Sequence, residues 1–252
     1  MVKPVNLLPK GICSNPQKIV ENKNFQQSIG KALQTNEKNL HKILVKISKS
    51  QIIEAEKMSN LDSAKYFFKL ITKEMKIPQE LCPKFIIEEL AQDAPKLCAC
   101  YSWEDNVLTY FSKAPTNQKR GKWWAFGLIR HELEHFRQNI DIFANKNTFN
   151  ELVKFYENIG IKHNVPKSEI ENAKKLLLKN REKVLKYYKE TDKHSKNYKK
   201  TKSYLDSILN YNSYNYKNIK GMFKYFLQAS EFDACKAQGL NWINYFKSKI
   251  LG

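Results

Sequence analysis

Residues 123 to 143 read WWAFGLIRHELEHFRQNIDIF, and the reading of this stretch decides the fold. Phe126, Ile129, Leu133, Phe136, Ile140 and Phe143 recur at alternating spacings of three and four, the pattern of a helix with one apolar face. HELEH, residues 131 to 135, stands in the middle of it. Successive helical residues turn by about 100°, so His131 and His135 lie one turn apart on a common face, where two imidazoles can grip one ion. The stretch is therefore expected to be a core helix that also binds metal.

HELEH fits two patterns, HExxH with Glu132 as the working carboxylate and HxxEH with Glu134. The helix faces separate them. Arg130, Glu134, Arg137 and Asp141 form a charged stripe, which gives Glu134 ion-pair partners and a solvent-facing place. Glu132 falls between the histidine face and the apolar stripe, where an ionised carboxylate is costly unless chemistry requires it. Metal-assisted hydrolysis does require it: Glu132 would act as the general base of a water made acidic by zinc.

Two histidines do not complete a zinc site, so a third ligand must come from elsewhere. His41 lies in a Lys-rich stretch, His163 precedes Pro166, and His194 sits in a run of lysines. Glu231, in Ala229-Ser230-Glu231-Phe232-Asp233-Ala234-Cys235, is the better candidate. On a helix it has Leu227, Ala234, Cys235 and Gln238 around it, small or apolar neighbours that allow another helix close. Asp233 projects to nearly the opposite side, with a role behind the ligands open if the helix is irregular. Gln138 continues the histidine face, either to orient a ligand or substrate or to bond the backbone as a buried amide.

The rest of the chain is mostly helical by its periodicity. Two helices are expected between Asn24 and Met58, a third from Asp62 as N-cap towards Pro78, and further helices over 149–159, 168–188, 204–209 and 216–249. Lys189 to Lys202 reads as a solvated turn or linker. Lys84 to Ile87 reads as a strand, and Leu97 to Trp103 with Val107 to Phe111 as a hairpin.

The formal charge of +19 invites a nucleic-acid partner, yet only four of the 44 basic residues are arginine (Arg120, Arg130, Arg137, Arg181). Arginine is the residue that reads phosphates and bases bidentately, so the lysine excess argues against that class. Five cysteines without framework spacing read as reduced thiols. No apolar run reaches the about 18 residues of a membrane span, and the N-terminus carries no signal-peptide pattern, so a cytoplasmic protein is expected.

HELEH at 131 to 135, Gln138 after it, and Glu231-x-Asp233-Ala234 downstream resemble the gluzincins, HExxH metallopeptidases with a glutamate third ligand. In particular they resemble compact members with HELxHxxQ and a later ExDA segment, over about residues 80 to 145 and 220 to 240. The resemblance implies one zinc ion held by His131, His135 and Glu231, with Glu132 as general base. It implies an α+β, mostly helical fold: a zincin-like core with a small antiparallel sheet beside the HExxH helix. Its edge would pair with an extended peptide, the element being Tyr101-Ser102-Trp103 through Leu108-Thr109-Tyr110. Tyr101, Tyr225 and His163 are the candidates for stabilising an oxyanion, and Tyr101 for touching substrate.

The expected organisation is an irregular arm (1–20), helices packed on the core (21–78), and a metallopeptidase-like domain (79–252) with a helical insertion at about 146–212. The expected function is zinc-dependent hydrolysis of a protein or peptide bond. The alternative is a basic module that binds nucleic acid or protein around a structural or vestigial zinc.

Overall fold

A computed structural model describes residues 47–91, 97–210 and 228–238. The 1–20 arm, the helices expected over 24–46 and most of that expected over 216–249 lie outside these residues, as do Cys13, His41, Tyr225 and Leu227. The described chain is mostly helical with one small sheet. It divides into two units, and the division falls inside the HELEH helix, after Leu133, and inside the Glu231 helix, after Asp233.

The first unit holds helices α1 (Lys49–Lys57) and α2 (Asn60–Glu74), strands β1 (Lys84–Glu88), β2 (Ala99–Ser102) and β3 (Val107–Phe111), the short α3 (Pro115–Arg120), and the start of α4 (Lys122–Ala144). Ser48 and Gln51 close a capping box on α1. The N-cap of α2 is Ser59, whose side chain accepts from the Asp62 amide. Asp62, expected as the cap itself, sits three residues further in, because serine reaches that amide and leaves the aspartate to receive the Ser59 hydroxyl at 2.6 Å.

The sheet is mixed, in the order β1-β3-β2, and not antiparallel as expected. β2 pairs antiparallel with β3, with Ala99 opposite Tyr110 and Ser102 opposite Val107. β1 lies parallel to β3 on its other side, from Lys84 opposite Val107 to Glu88 opposite Phe111. The cause lies in β3, where Leu108, Tyr110 and Phe111 are buried. The most apolar strand takes the centre and pairs on both sides. Leu108 to Tyr110 therefore cannot form an open edge, and Tyr101 and Ser102 on β2 retain that position among the described residues. At the hairpin turn Asn106 adopts a left-handed φ of 53°, which asparagine tolerates better than most, and accepts the Tyr101 hydroxyl at 3.0 Å.

Aromatic rings on α2 join the sheet to α4. Phe68 stacks on Phe85 of β1 at 4.7 Å, and Phe67 meets Trp123 at 5.3 Å and Phe126 at 5.2 Å. The end of α1 is tied to the same place: the Lys122 ammonium donates to the carbonyls of Ala55, Glu56 and Met58. Three carbonyls at a helix end thus share one cation. Asn117 donates to the carbonyls of Cys98 and Phe111 and accepts from the Trp124 indole, fixing where α4 leaves the hairpin.

The second unit holds the rest of α4, then α5 (Lys146–Lys162), α6 (Lys167–Leu185) and α7 (Tyr198–Leu209), and the first half of α8 (Ala229–Gln238). Asn145 caps α5 through the amides of Asn147 and Thr148 while its own amide donates to Thr191 and Asp192. α5 and α6 approach closely at Gly160, where an added Cβ would meet Ile170 Cγ1 at 2.7 Å. The lysine run expected to be a linker is helical from Tyr198 onward. Thr201, Tyr204 and Leu205 are buried at helical spacing and outweigh the solvated lysines between them. No helix of the described residues is long and apolar enough to cross a membrane.

Candidate metal centre

α4 carries His131, Glu132, His135 and Gln138, and α8 carries Ser230, Glu231, Asp233 and Cys235. Within α4 the apolar residues Ile129, Leu133, Phe136 and Ile140 are buried, which turns the histidine face in one direction. His131, His135 and Glu231 form a group in which one ligand atom from each lies within 4.8 Å of the others. His135 Nε2 stands 3.6 Å from Glu231 Oε1, and Glu231 is 4 % exposed.

These residues fit a metal by their donor chemistry. Two imidazole nitrogens and one carboxylate oxygen are the His2Glu set of catalytic zinc sites, which keep a fourth position open. Ligand bonds of about 2.0–2.1 Å set tetrahedral edges of about 3.3–3.5 Å. The 3.6 Å separation of His135 and Glu231 is close to such an edge. The three ligand atoms all lie within 4.8 Å of one another.

One nitrogen of each ring meets a further side chain. Gln138 Oε1 lies 3.1 Å from His135 Nδ1, and its Nε2 donates to the Ser230 carbonyl at 2.9 Å. Cys235 Sγ lies 3.7 Å from His131 Nδ1. Periodicity alone had no means of showing the Cys235 contact, since it joins residues 104 apart in sequence.

The two carboxylates of HELEH are set apart by their surroundings. Glu134 receives Arg137 bidentately, with Nε at 2.9 Å from both oxygens, and its side chain is 15 % exposed rather than turned to solvent. Arg137 also donates to Asp141 and to the Tyr204 hydroxyl. Burial works against the Arg137 charge, but Glu134 and Asp141 outweigh it and hold the guanidinium protonated. Glu132 is 7 % exposed and makes no hydrogen bond or ion pair among the described residues. Its charge is felt by two thiols on the strand side: burial first, and Glu132 after it, pushes Cys100 up to about 11, and Cys98 is raised as well.

Asp233 lies outside the group and is held elsewhere. It accepts from the Tyr204 hydroxyl at 2.6 Å and pairs with Lys200 at 3.0 Å. Tyr204 is itself fully buried, so the pair anchors α8 two residues beyond Glu231. Tyr101 is on β2 with its hydroxyl on Asn106, and burial raises its pKa. His163 ends α5 in an exposed position, and His194 is exposed in the turn before α7. Cys82, Cys98, Cys100 and Cys235 form no disulfide among the described residues.

Comparisons with protein-family models, with curated proteins and with solved structures each give no match to this chain, so the reading of the centre rests on its own residues.

Proposed function

We propose that the chain is a zinc-dependent hydrolase, a metallopeptidase of HExxH type with His131, His135 and Glu231 as ligands and Glu132 as general base. The observation that carries this reading is the buried convergence of two imidazoles and a carboxylate beside a second carboxylate without an ionic partner. A structural site would have no use for that second carboxylate, which is costly to bury. Zinc, when bound, polarises a carbonyl and lowers the pKa of water towards about 7.

Glu132 takes the proton of the attacking water at its carboxylate and delivers it to the leaving nitrogen. Glu134 does not compete for this role, because Arg137 occupies both its oxygens. Peptide as substrate is supported by the resemblance to gluzincins and by the edge position of β2 among the described residues, a place where an extended chain can pair. A zincin-like core is proposed on the same resemblance.

The test is Glu132→Gln in the full chain. Zinc content should remain at one ion per chain while cleavage of an unbiased peptide library falls about 100- to 10,000-fold, the usual share of general acid–base catalysis. Cleavage that survives in this variant sinks the mechanism.

A further inference from the structure

The contacts behind the two histidines decide where their protons sit. The Ser230 carbonyl can only accept, so the amide NH2 of Gln138 must face it, and Gln138 Oε1 must then face His135 Nδ1. An amide oxygen also only accepts. His135 therefore carries a proton on Nδ1 and turns Nε2 towards Glu231, 3.6 Å away. At His131 the sulfur of Cys235 satisfies either sense of hydrogen bond, but the two have different consequences. If the thiol donates, it occupies Nδ1 while Nε2 holds the proton, and no nitrogen is left for an ion. If Nδ1–H donates to sulfur, Nε2 carries the lone pair.

We propose that Gln138 and Cys235 are positioning residues that hold both histidines as Nδ1–H tautomers and so present both Nε2 atoms to one cation. Zinc is that cation by the donor set. The inference rests on the metal-centre part of the proposed function and is independent of the peptidase part. An unsupported imidazole in water favours the proton on Nε2, so the partners reverse an intrinsic preference. Both Gln138 at 2 % exposure and Cys235 at 2 % are shielded from water that would otherwise compete for the ring nitrogens. Three of these functions come from α8: the Ser230 carbonyl orients Gln138, Glu231 offers the third ligand atom, and Cys235 meets His131.

The test is a long-range proton–nitrogen correlation spectrum of the metal-free full chain labelled with 15N histidine, with peaks assigned by single His→Gln variants. Both rings of the wild type should show the Nδ1–H pattern. Gln138→Leu should move His135 alone to the Nε2–H pattern, and Cys235→Ala should move His131 alone. Gln138→Glu, which keeps an acceptor, should restore His135. Zinc affinity, read by competition with a chromophoric chelator, should fall about 10- to 100-fold in Gln138→Leu and in Cys235→Ala with unchanged circular dichroism. A wild-type spectrum with Nε2–H on either ring overturns the inference, and that spectrum suffices even where a variant does not fold. Zinc binding by variants whose rings and affinity match the wild type overturns the inference alone. The expected tautomers without any zinc binding overturn the metal centre instead.

Discussion

Glu132 and Glu134 are the same residue type two positions apart on one helix, and they differ by what surrounds them. The charged stripe that pairs Glu134 with Arg137 was legible, because ion-pair neighbours at three and four residues follow from helical spacing. The partners of the histidines were only partly so. Gln138 shares their helix, but Cys235 reaches His131 through the packing of a distant segment, which no local pattern encodes. The same locality hid the thiols near Glu132. Cys100 is raised from 9.0 to about 11, chiefly by burial, so the folded state holds its proton where the unfolded state has lost it. Stability from this group is complete below about pH 9 and is lost as pH rises through about 11. The denaturant midpoint should therefore fall across this window, and Cys100→Ala should flatten the fall; an equally steep fall in the variant would remove Cys100 as its cause.

Elements were easier to read than their neighbours in space. The period of 123–143 locates α4 to within one residue at each end, since six core contacts at helical spacing leave little freedom. The strands were also visible, but their pairing was not: a five-residue strand with three apolar residues does not say whether its neighbour runs with it or against it. The start of α7 was hidden by lysines that solvate one face while Thr201, Tyr204 and Leu205 bury the other. Helix packing supplies a test at this scale. Gly160→Ala adds about 1 kcal/mol of helix propensity to α5, yet its Cβ would meet Ile170 Cγ1 at 2.7 Å. Overpacking costs about 1–3 kcal/mol, so the variant should be less stable by a net amount of up to about 2 kcal/mol in urea unfolding. A more stable variant would show that α5 and α6 part without cost.

At the scale of the molecule, the helices that bear the centre are held by contacts that need no metal. Asp233 bonds Tyr204 and Lys200, Gln138 bonds the Ser230 carbonyl, and the apolar face of α4 is buried throughout. Chelation should therefore abolish hydrolysis and leave the far-ultraviolet circular dichroism and the cooperative unfolding transition in place. Loss of the helical signal on chelation would favour a module in which zinc is structural. The overall charge has its own division of labour. All four arginines lie against aromatic rings: Arg120 over Trp124, Arg130 over Phe126, Arg137 over Tyr204 and Arg181 over Phe149, at 4.8 to 5.8 Å. Their planar forks are half-buried against rings, and most of the remaining positive charge is lysine, a compact ammonium on a flexible stem. Any acidic partner would meet mainly point charges on flexible stems, an attraction that salt should weaken.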